Sequence, residues 1–278
     1  MSGINIFPRR VASLQPSVTA IIKELGLLGR VVACTKYCRE ICPEVGDRII
    51  LSDSWTAQAE QIRSAQPDLV IACVPYQEKS VTEILNCAVP VLLLSPRTLV
   101  NIYSDIALIA GALGAPGRVA AVIGRMQKEI AAVRDRVPAG IRRTVYCEEW
   151  GKPIIHSQAW VAELVEAAGG EFVGNPGQHT TAEAIAQVNP DVVIAAWCGA
   201  GDRVPLEKLV RDRDWERITA AVSGRVFCIP DEWLNTPAPT LIEGLHALAA
   251  AIHPEIFPAP ARLRRIEASF SAPARSAQ

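Results

Sequence analysis

Short apolar runs rich in β-branched residues alternate along this chain with longer stretches of helical spacing, and glycine, proline and aspartate mark the joints. Runs of this kind, bounded by turn residues, read as buried parallel strands. One phrase occurs twice. "QPDLVIAC" (66–73) and "NPDVVIAAWC" (189–198) each follow a helix-like lead-in with a Pro-Asp turn, an apolar run and a cysteine. Their neighbourhoods repeat too: "RRVASL" (9–14) and "RRTVYC" (142–147) offer a short strand, and "SVTAIIKELG" (17–26) and "AWVAELVEAAGG" (159–170) an amphipathic helix stopped by glycine. A further strand, "RVVAC" or "EFVG", follows in each half.

Between the halves, residues 99–137 keep a helical period with one break at "GAPG" and carry no strand signal. Strands alternating with helices predict an α/β protein with parallel sheets. The expected architecture is two Rossmann-like lobes joined by a long helical connector. Its boundaries fall at 1–98 for the N-terminal lobe, 99–137 for the connector and 138–258 for the C-terminal lobe. A tail rich in Ala, Ser and Pro, 259–278, is expected to be flexible.

In open α/β sheets, ligands bind outside the carboxyl ends of the strands. That rule gathers the unusual residues into "LQPS" (14–17), "CTKYCREIC" (34–42), "CVPYQ" (73–77) and "SPR" (95–97) in the first half. In the second half it selects "CEEWGKPIIHS" (147–157), "WCGAG" (197–201) and "PDEWLN" (230–235). If the lobes face each other, these loops line one cleft.

Composition narrows the function classes. Of 278 residues half are hydrophobic, enough for a large core, and 28 Lys plus Arg against 29 Asp plus Glu leave no basic footprint for a nucleic acid. No apolar run approaches the ~20 residues that span a bilayer, so a membrane-embedded protein is not expected. "MSGINIFPRRVASL" lacks a charged n-region followed by an apolar h-region. The expected location is therefore cytoplasmic, or periplasmic if the start omits a signal, and the eight cysteines are expected as thiols rather than disulfides. A small-molecule partner and a monomer fit this balance.

Cys34, Cys38 and Cys42 recur every fourth residue, which on a helix lines three thiols along one face. They read either as small hydrophobes or, with Cys198 from the second half, as ligands to a transition metal or an iron–sulfur cluster. Their spacing differs from the C-x2-C pattern of zinc and cluster sites. Trp150, Trp197 and Trp233 lie in expected loops, where strand periodicity gives no reason for them; Trp55 in "LSDSWT" joins them. They are either caps on the lobes' cores or the rigid apolar contacts that a flat ligand requires. Tyr37 and Tyr76 add stacking or hydroxyl groups, and His156 in "PIIHS" offers a metal-ligating nitrogen or a structural ring. Ser17 is placed as the N-cap of the first helix, at an end suited to an anionic group.

Enzyme motifs are missing: there is no G-x-S-x-G, P-loop or H-E-x-x-H. Glu148 and Glu149 stand side by side on a strand and so point to opposite faces. An enzyme is not expected; its one form would use Cys198 as nucleophile with His156.

At this point the residues resemble a known family, the class III solute-binding proteins of ABC importers, which carry cobalamin, haem, ferric siderophores or metal ions. The likeness rests on "RVASLQPSVTAIIKELGLLGRVVACTKYC", both Pro-Asp-x-Val-Ile strands, "WVAELVEAAGG" and "GRVFCIPDEWLNTPAPTLIEGLHALAAAIHP". Thr35-Lys36-Tyr37-Cys38, "YCEEW-x-KP" and "WCGAG" resemble its cobalamin-binding branch. The resemblance implies a two-lobed, helical-backbone fold holding a cobalamin-like metal chelate between the lobes, with a transporter permease as partner. Its ligand contacts would be Ser17, Tyr37, Trp55, Tyr76, Trp150, His156, Trp197 and Trp233. The alternative is a cytoplasmic metal or iron–sulfur carrier or sensor using Cys34, Cys38, Cys42 and Cys198.

Overall fold

A computed structural model of the chain describes residues 6–140, 142–268 and 270. The chain divides into two compact units, Met1–Met126 with Pro237–Pro239, and Gln127–Thr236 with Thr240–Gln278.

The first unit runs β1 (Val11–Ser13), α1 (Pro16–Glu24), β2 (Val31–Thr35), α2 (Lys36–Ile41), β3 (Ile49–Leu51), α3 (Ala59–Ser64), β4 (Leu69–Cys73), α4 (Glu78–Leu85) and β5 (Val91–Leu94). Its five strands are all parallel, in the order β3-β2-β1-β4-β5. The order reverses at β1, the switch point where such sheets take their ligands. Helix α5 (Leu99–Ala112) opens on a capping box, Thr98 Oγ1 accepting from Asn101 N. After a short turn comes α6 (Val119–Arg134), inside which the division into units falls.

The second unit continues with β6 (Arg143–Gly151), β7 (Ile154–His156), α7 (Ala159–Ala167), β8 (Gly170–Phe172), α8 (Ala182–Val188), β9 (Val192–Ala195), α9 (Leu206–Arg211) and α10 (Thr219–Val222). It ends with β10 (Val226–Cys228), α11 (Asp231–Leu234), α12 (Leu241–Ile252) and β11 (Arg264–Arg265). Strands β8, β6, β9 and β10 are parallel neighbours, as expected. Two antiparallel strands differ from the expectation: β7 folds back on β6, and β11 pairs with β10. The second of these lies in the stretch expected to be a flexible tail, where Ile266 also sits in the core. Residues 269 and 271–278 of that tail lie outside the described residues.

The repeated Pro-Asp turn has one structural job in both units. Asp68 accepts from the backbone N–H groups of Arg9 (2.7 Å) and Arg10 (2.8 Å), and Asp191 from Thr144 N and Oγ1 (both 2.9 Å). Each carboxylate thus ties the start of its own strand to the start of the neighbouring one. The cores above these ties are apolar, Leu14, Val70, Ile62 and Ile84 in the first unit and Tyr146, Val193, Val226 and Trp215 in the second. Full burial of one such aliphatic side chain contributes about 1.5–3 kcal/mol.

Candidate functional site

In the first unit the carboxyl ends of β1, β2 and β4 are lined by hydroxyls and thiols. Thr35 caps α2, its hydroxyl accepting from Cys38 N at 3.2 Å and lying 3.2 Å from the Cys38 thiol. Ser13 and Thr19 share a hydrogen bond at 2.8 Å beneath them. Burial opposes a thiolate at Cys38, yet hydrogen bonds from Cys34, Thr19 and Thr35 outweigh it and draw its pKa below the ordinary thiol value. Cys34, its partner in that bond, is pushed up. Cys42 turns elsewhere, donating to Glu44 at 3.3 Å, and burial with that carboxylate raises it to about 11.

All three of these thiols are buried and free, as are Cys73, Cys87, Cys147 and Cys228, while Cys198, also free, is half-buried. Among the described residues no group of three or more His, Cys, Asp or Glu could hold a metal ion. The four-residue spacing therefore places Cys34 at the end of a strand, Cys38 in the first turn of a helix and Cys42 at its C-cap, not on one helical face. Cys198 belongs to the second unit.

Ser17 is not the N-cap. Pro16 takes the first helical position, where its fixed φ suits a helix start, and Gln15 is the cap. Ser17 is buried and hydrogen-bonds to Cys73, whose thiol burial raises to about 12. Tyr76 spends its hydroxyl on the end of β5, donating to Leu94 O (2.9 Å) and accepting from Leu94 N (3.1 Å). Tyr37 and Trp55 remain open. Tyr37 is half-buried with Lys36 Nζ 4.8 Å from its ring centroid, and it lines a pocket of about 480 Å³ with Thr35, Ser52, Asp53 and Gln61. Trp55 is 43% exposed on a turn that Asp53 fixes by accepting from Trp55 N and Thr56 N.

A residue that sequence reading missed stands nearby. Asp105, on α5, is only 7% exposed, and burial raises its carboxyl to about 6. Its charge also helps hold Cys73 and Tyr76 in their protonated forms. The visible signal was an acid inside the apolar run "IYSDIALIAG".

The second unit builds its strand ends from charge and aromatic rings. Glu148 is fully buried at the end of β6 and accepts from Tyr146 Oη (2.6 Å), Trp197 Nε1 (2.7 Å) and Arg213 Nη2 (2.8 Å), with Arg213 Nη1 on its other oxygen. The Arg213 guanidinium stacks 4.9 Å from the Trp215 ring centroid and 5.9 Å from that of Trp197. The Trp197 indole packs so closely on Gly151 that an added Cβ there would meet it at 2.7 Å. An ion pair, a tyrosine and a glycine therefore fix one indole in one orientation. Beside it Trp150 is 42% exposed and donates to Lys152 O at 2.7 Å. Trp150, Gly151 and Trp197, with Ile154, Lys208 and Arg213, line a pocket of about 760 Å³.

Glu149 faces other partners, as strand alternation requires. It accepts from Gln158 (2.7 Å) and lies 3.8 Å from the Cys198 thiol, which also receives a hydrogen bond from Asn235 (3.3 Å). Burial pushes both Glu149 and Cys198 toward their protonated forms. The turn that follows Trp197 needs left-handed backbone at Gly199 (φ +78°) and Gly201 (φ +59°), and Asp231 clamps it by accepting from both N–H groups at 2.8 and 2.7 Å. Trp233 is half-buried under the Arg262 guanidinium, 5.4 Å from its ring centroid.

His156 is interior, 3% exposed, edge-on to Tyr146 at 5.4 Å and packed on Gly174, where a Cβ would have no room. Burial lowers its pKa. Catalysis by Cys198 finds no support: a nucleophilic cysteine needs a depressed pKa, and here burial raises it while Glu149 and Asn235 occupy the thiol.

Residues 11–233 match the model of a family described as "Periplasmic binding protein". The chain belongs to that family. Its members are solute-binding proteins, not enzymes. An ABC transporter substrate-binding lipoprotein from Bacillus subtilis is 24% identical over 90% of this chain and 82% of its own length. A cobalamin-binding protein from Halobacterium salinarum is 26% identical over 88% and 70%. Among solved structures, a periplasmic heme-binding protein from Pseudomonas aeruginosa superposes with a TM-score of 0.80 at 20% identity, covering 95% of this chain and 99% of that one. The expected cytoplasmic placement is overturned by the family, which is described as periplasmic, and by a relative named as a substrate-binding lipoprotein. Among the described residues no helix is long and apolar enough to cross a membrane.

Proposed function

We propose that this chain is the substrate-binding protein of an ABC importer and that its ligand is a metal chelate of the corrinoid or haem kind, with cobalamin the first choice. The observation that carries the reading is Trp197, held rigid by Glu148, Arg213 and Gly151 beside the exposed Trp150 over a pocket of about 760 Å³. Fixed indoles offer a flat ring broad apolar contact at little conformational cost. Lys152 and Lys208, which line the same pocket, supply cations for the propionates of a haem or the phosphodiester of a cobalamin, while Arg213 is already paired with Glu148. The ABC permease receives the loaded protein, as the lipoprotein relative's name implies for that protein.

A bare metal or an iron–sulfur cluster is favoured by no observation, because the cysteines are dispersed and tied to hydroxyls, carboxylates and carbonyls. The test is a titration of the purified protein with cyanocobalamin and, separately, with haemin, read by visible absorbance and tryptophan fluorescence. Saturable 1:1 binding with quenching is expected for one of them. Unchanged spectra with both chelates at 100 μM, on the order of a thousand times a tight receptor's Kd, would remove the reading.

A further inference from the structure

Away from the strand carboxyl ends, the second unit has another pocket, about 380 Å³, between β10 and the last turn of α12. Its walls are apolar: Phe227 from β10, Ala250 and Ala251 from α12, and Pro254, Ala259 and Leu263 from the segment that leads to β11. Its polar end is formed by Arg225, with Ser223 and Arg265 beside it. Among the described residues the Arg225 guanidinium has no hydrogen bond or ion pair, although it is half-buried and burial together with Arg143 lowers its pKa.

The surrounding charges explain why it is left over. Arg143 is satisfied by Ile252 O and Glu255, and Arg265 by Gly224 O (2.6 Å) and Ser223 O (3.1 Å). The two carboxylates in range are engaged elsewhere, Asp191 by Thr144 and Glu255 by Arg143 and His253. Three arginines thus converge where no carboxylate is free; two of them, Arg225 and Arg265, line the cavity, and of these Arg225 is the one without a partner among the described residues. An unpaired, partly desolvated guanidinium presents a fork matched to a carboxylate, and a pocket of this size suits a small organic ligand.

We propose that this pocket binds a small amphiphilic carboxylate, its acid group on Arg225 and its apolar body against Phe227 and α12. The site is separate from the chelate site and independent of that reading. The probes are sodium octanoate and, for the charge alone, inorganic phosphate, titrated into the full chain by calorimetry and followed by thermal shift. Octanoate is expected to bind 1:1 and raise Tm, with phosphate at least tenfold weaker. Arg225→Gln should weaken octanoate at least tenfold and, having removed an unpaired charge, should melt no lower than the parent. Ala259→Phe, at the exposed rim, keeps the arginine but fills the pocket and should also block octanoate. The proposal is overturned by any of three results: no saturable octanoate binding, unchanged affinity in both variants, or phosphate binding as well as octanoate.

Discussion

At the ends of their strands the two units offer opposite chemistry built from the same phrase. Aligned on Pro-Asp, "PDLVIAC" and "PDVVIAA" place Cys73 opposite Ala196, so the second cysteine, Cys198, arrives two residues later. In the first unit the strand runs through Cys73, which turns inward to Ser17. In the second the strand stops at Ala195, and the chain turns out through Trp197 and Cys198 into the glycine turn clamped by Asp231. Hydroxyls and thiols bonded to one another therefore close the first unit's switch point, whereas a buried ion pair props open an aromatic pocket in the second. A duplicated strand conserves the tie at its start, Asp68 or Asp191, while the residues just past its end are free to diverge into different sites.

The comparison breaks most visibly at Glu148. Glu148→Gln leaves Arg213 buried without a counter-charge, and unfolding by denaturant should show a loss of about 3–5 kcal/mol with a shift in tryptophan emission. Glu148→Leu with Arg213→Met and Tyr146→Phe should recover part of that stability, because apolar replacements of a buried pair are often neutral while Trp197 Nε1 is left without its acceptor. Next come the rings: Trp197→Ala and Trp150→Ala should each weaken chelate binding at least tenfold, about 1.4 kcal/mol or more. Tyr76→Phe in the first unit should leave that affinity within twofold, since Leu94 already holds its hydroxyl.

Asp105 sharpens the contrast through pH. Its folded pKa of about 6 lies above the ordinary carboxylate value, so the folded protein holds the proton more tightly than the unfolded chain. Stability contributed by this group is complete below about pH 4, falls as pH rises to about 6 and is flat beyond. Asp105→Asn should flatten that slope and stabilise the protein at pH 7 by about 1–2 kcal/mol, a value reduced for partial solvent screening. The smallest effect is expected from the thiols. A Cys34→Ala, Cys38→Ser, Cys42→Ala variant should titrate with the chelate as the parent does, at a stability cost of about 1 kcal/mol per site.

Much of this was legible in the chain. The Pro-Asp repeats, the glycine-stopped helices and the strand-end rule gave the α/β halves and put Trp150 and Trp197 at strand ends. What stayed hidden were pairings across distance. Arg213 sits in the charge-rich "RDRDWER", where nothing local marks one arginine as the partner of Glu148, 65 residues away. His156 was open to two readings, a metal-ligating nitrogen or a structural ring, and nothing in "PIIHS" shows that strand β7 folds back on β6 and buries it. The strand β11 is two arginines long and carries no apolar period at all.

The central claim is that a chelate is held on the aromatic strand ends of this chain. Hydrogen–deuterium exchange of the full protein with and without cyanocobalamin tests it most directly. Protection of the segments Trp150–Ile154 and Trp197–Gly201 is the predicted result. Binding that protects none of these segments, or protects only regions away from the strand ends, would contradict it.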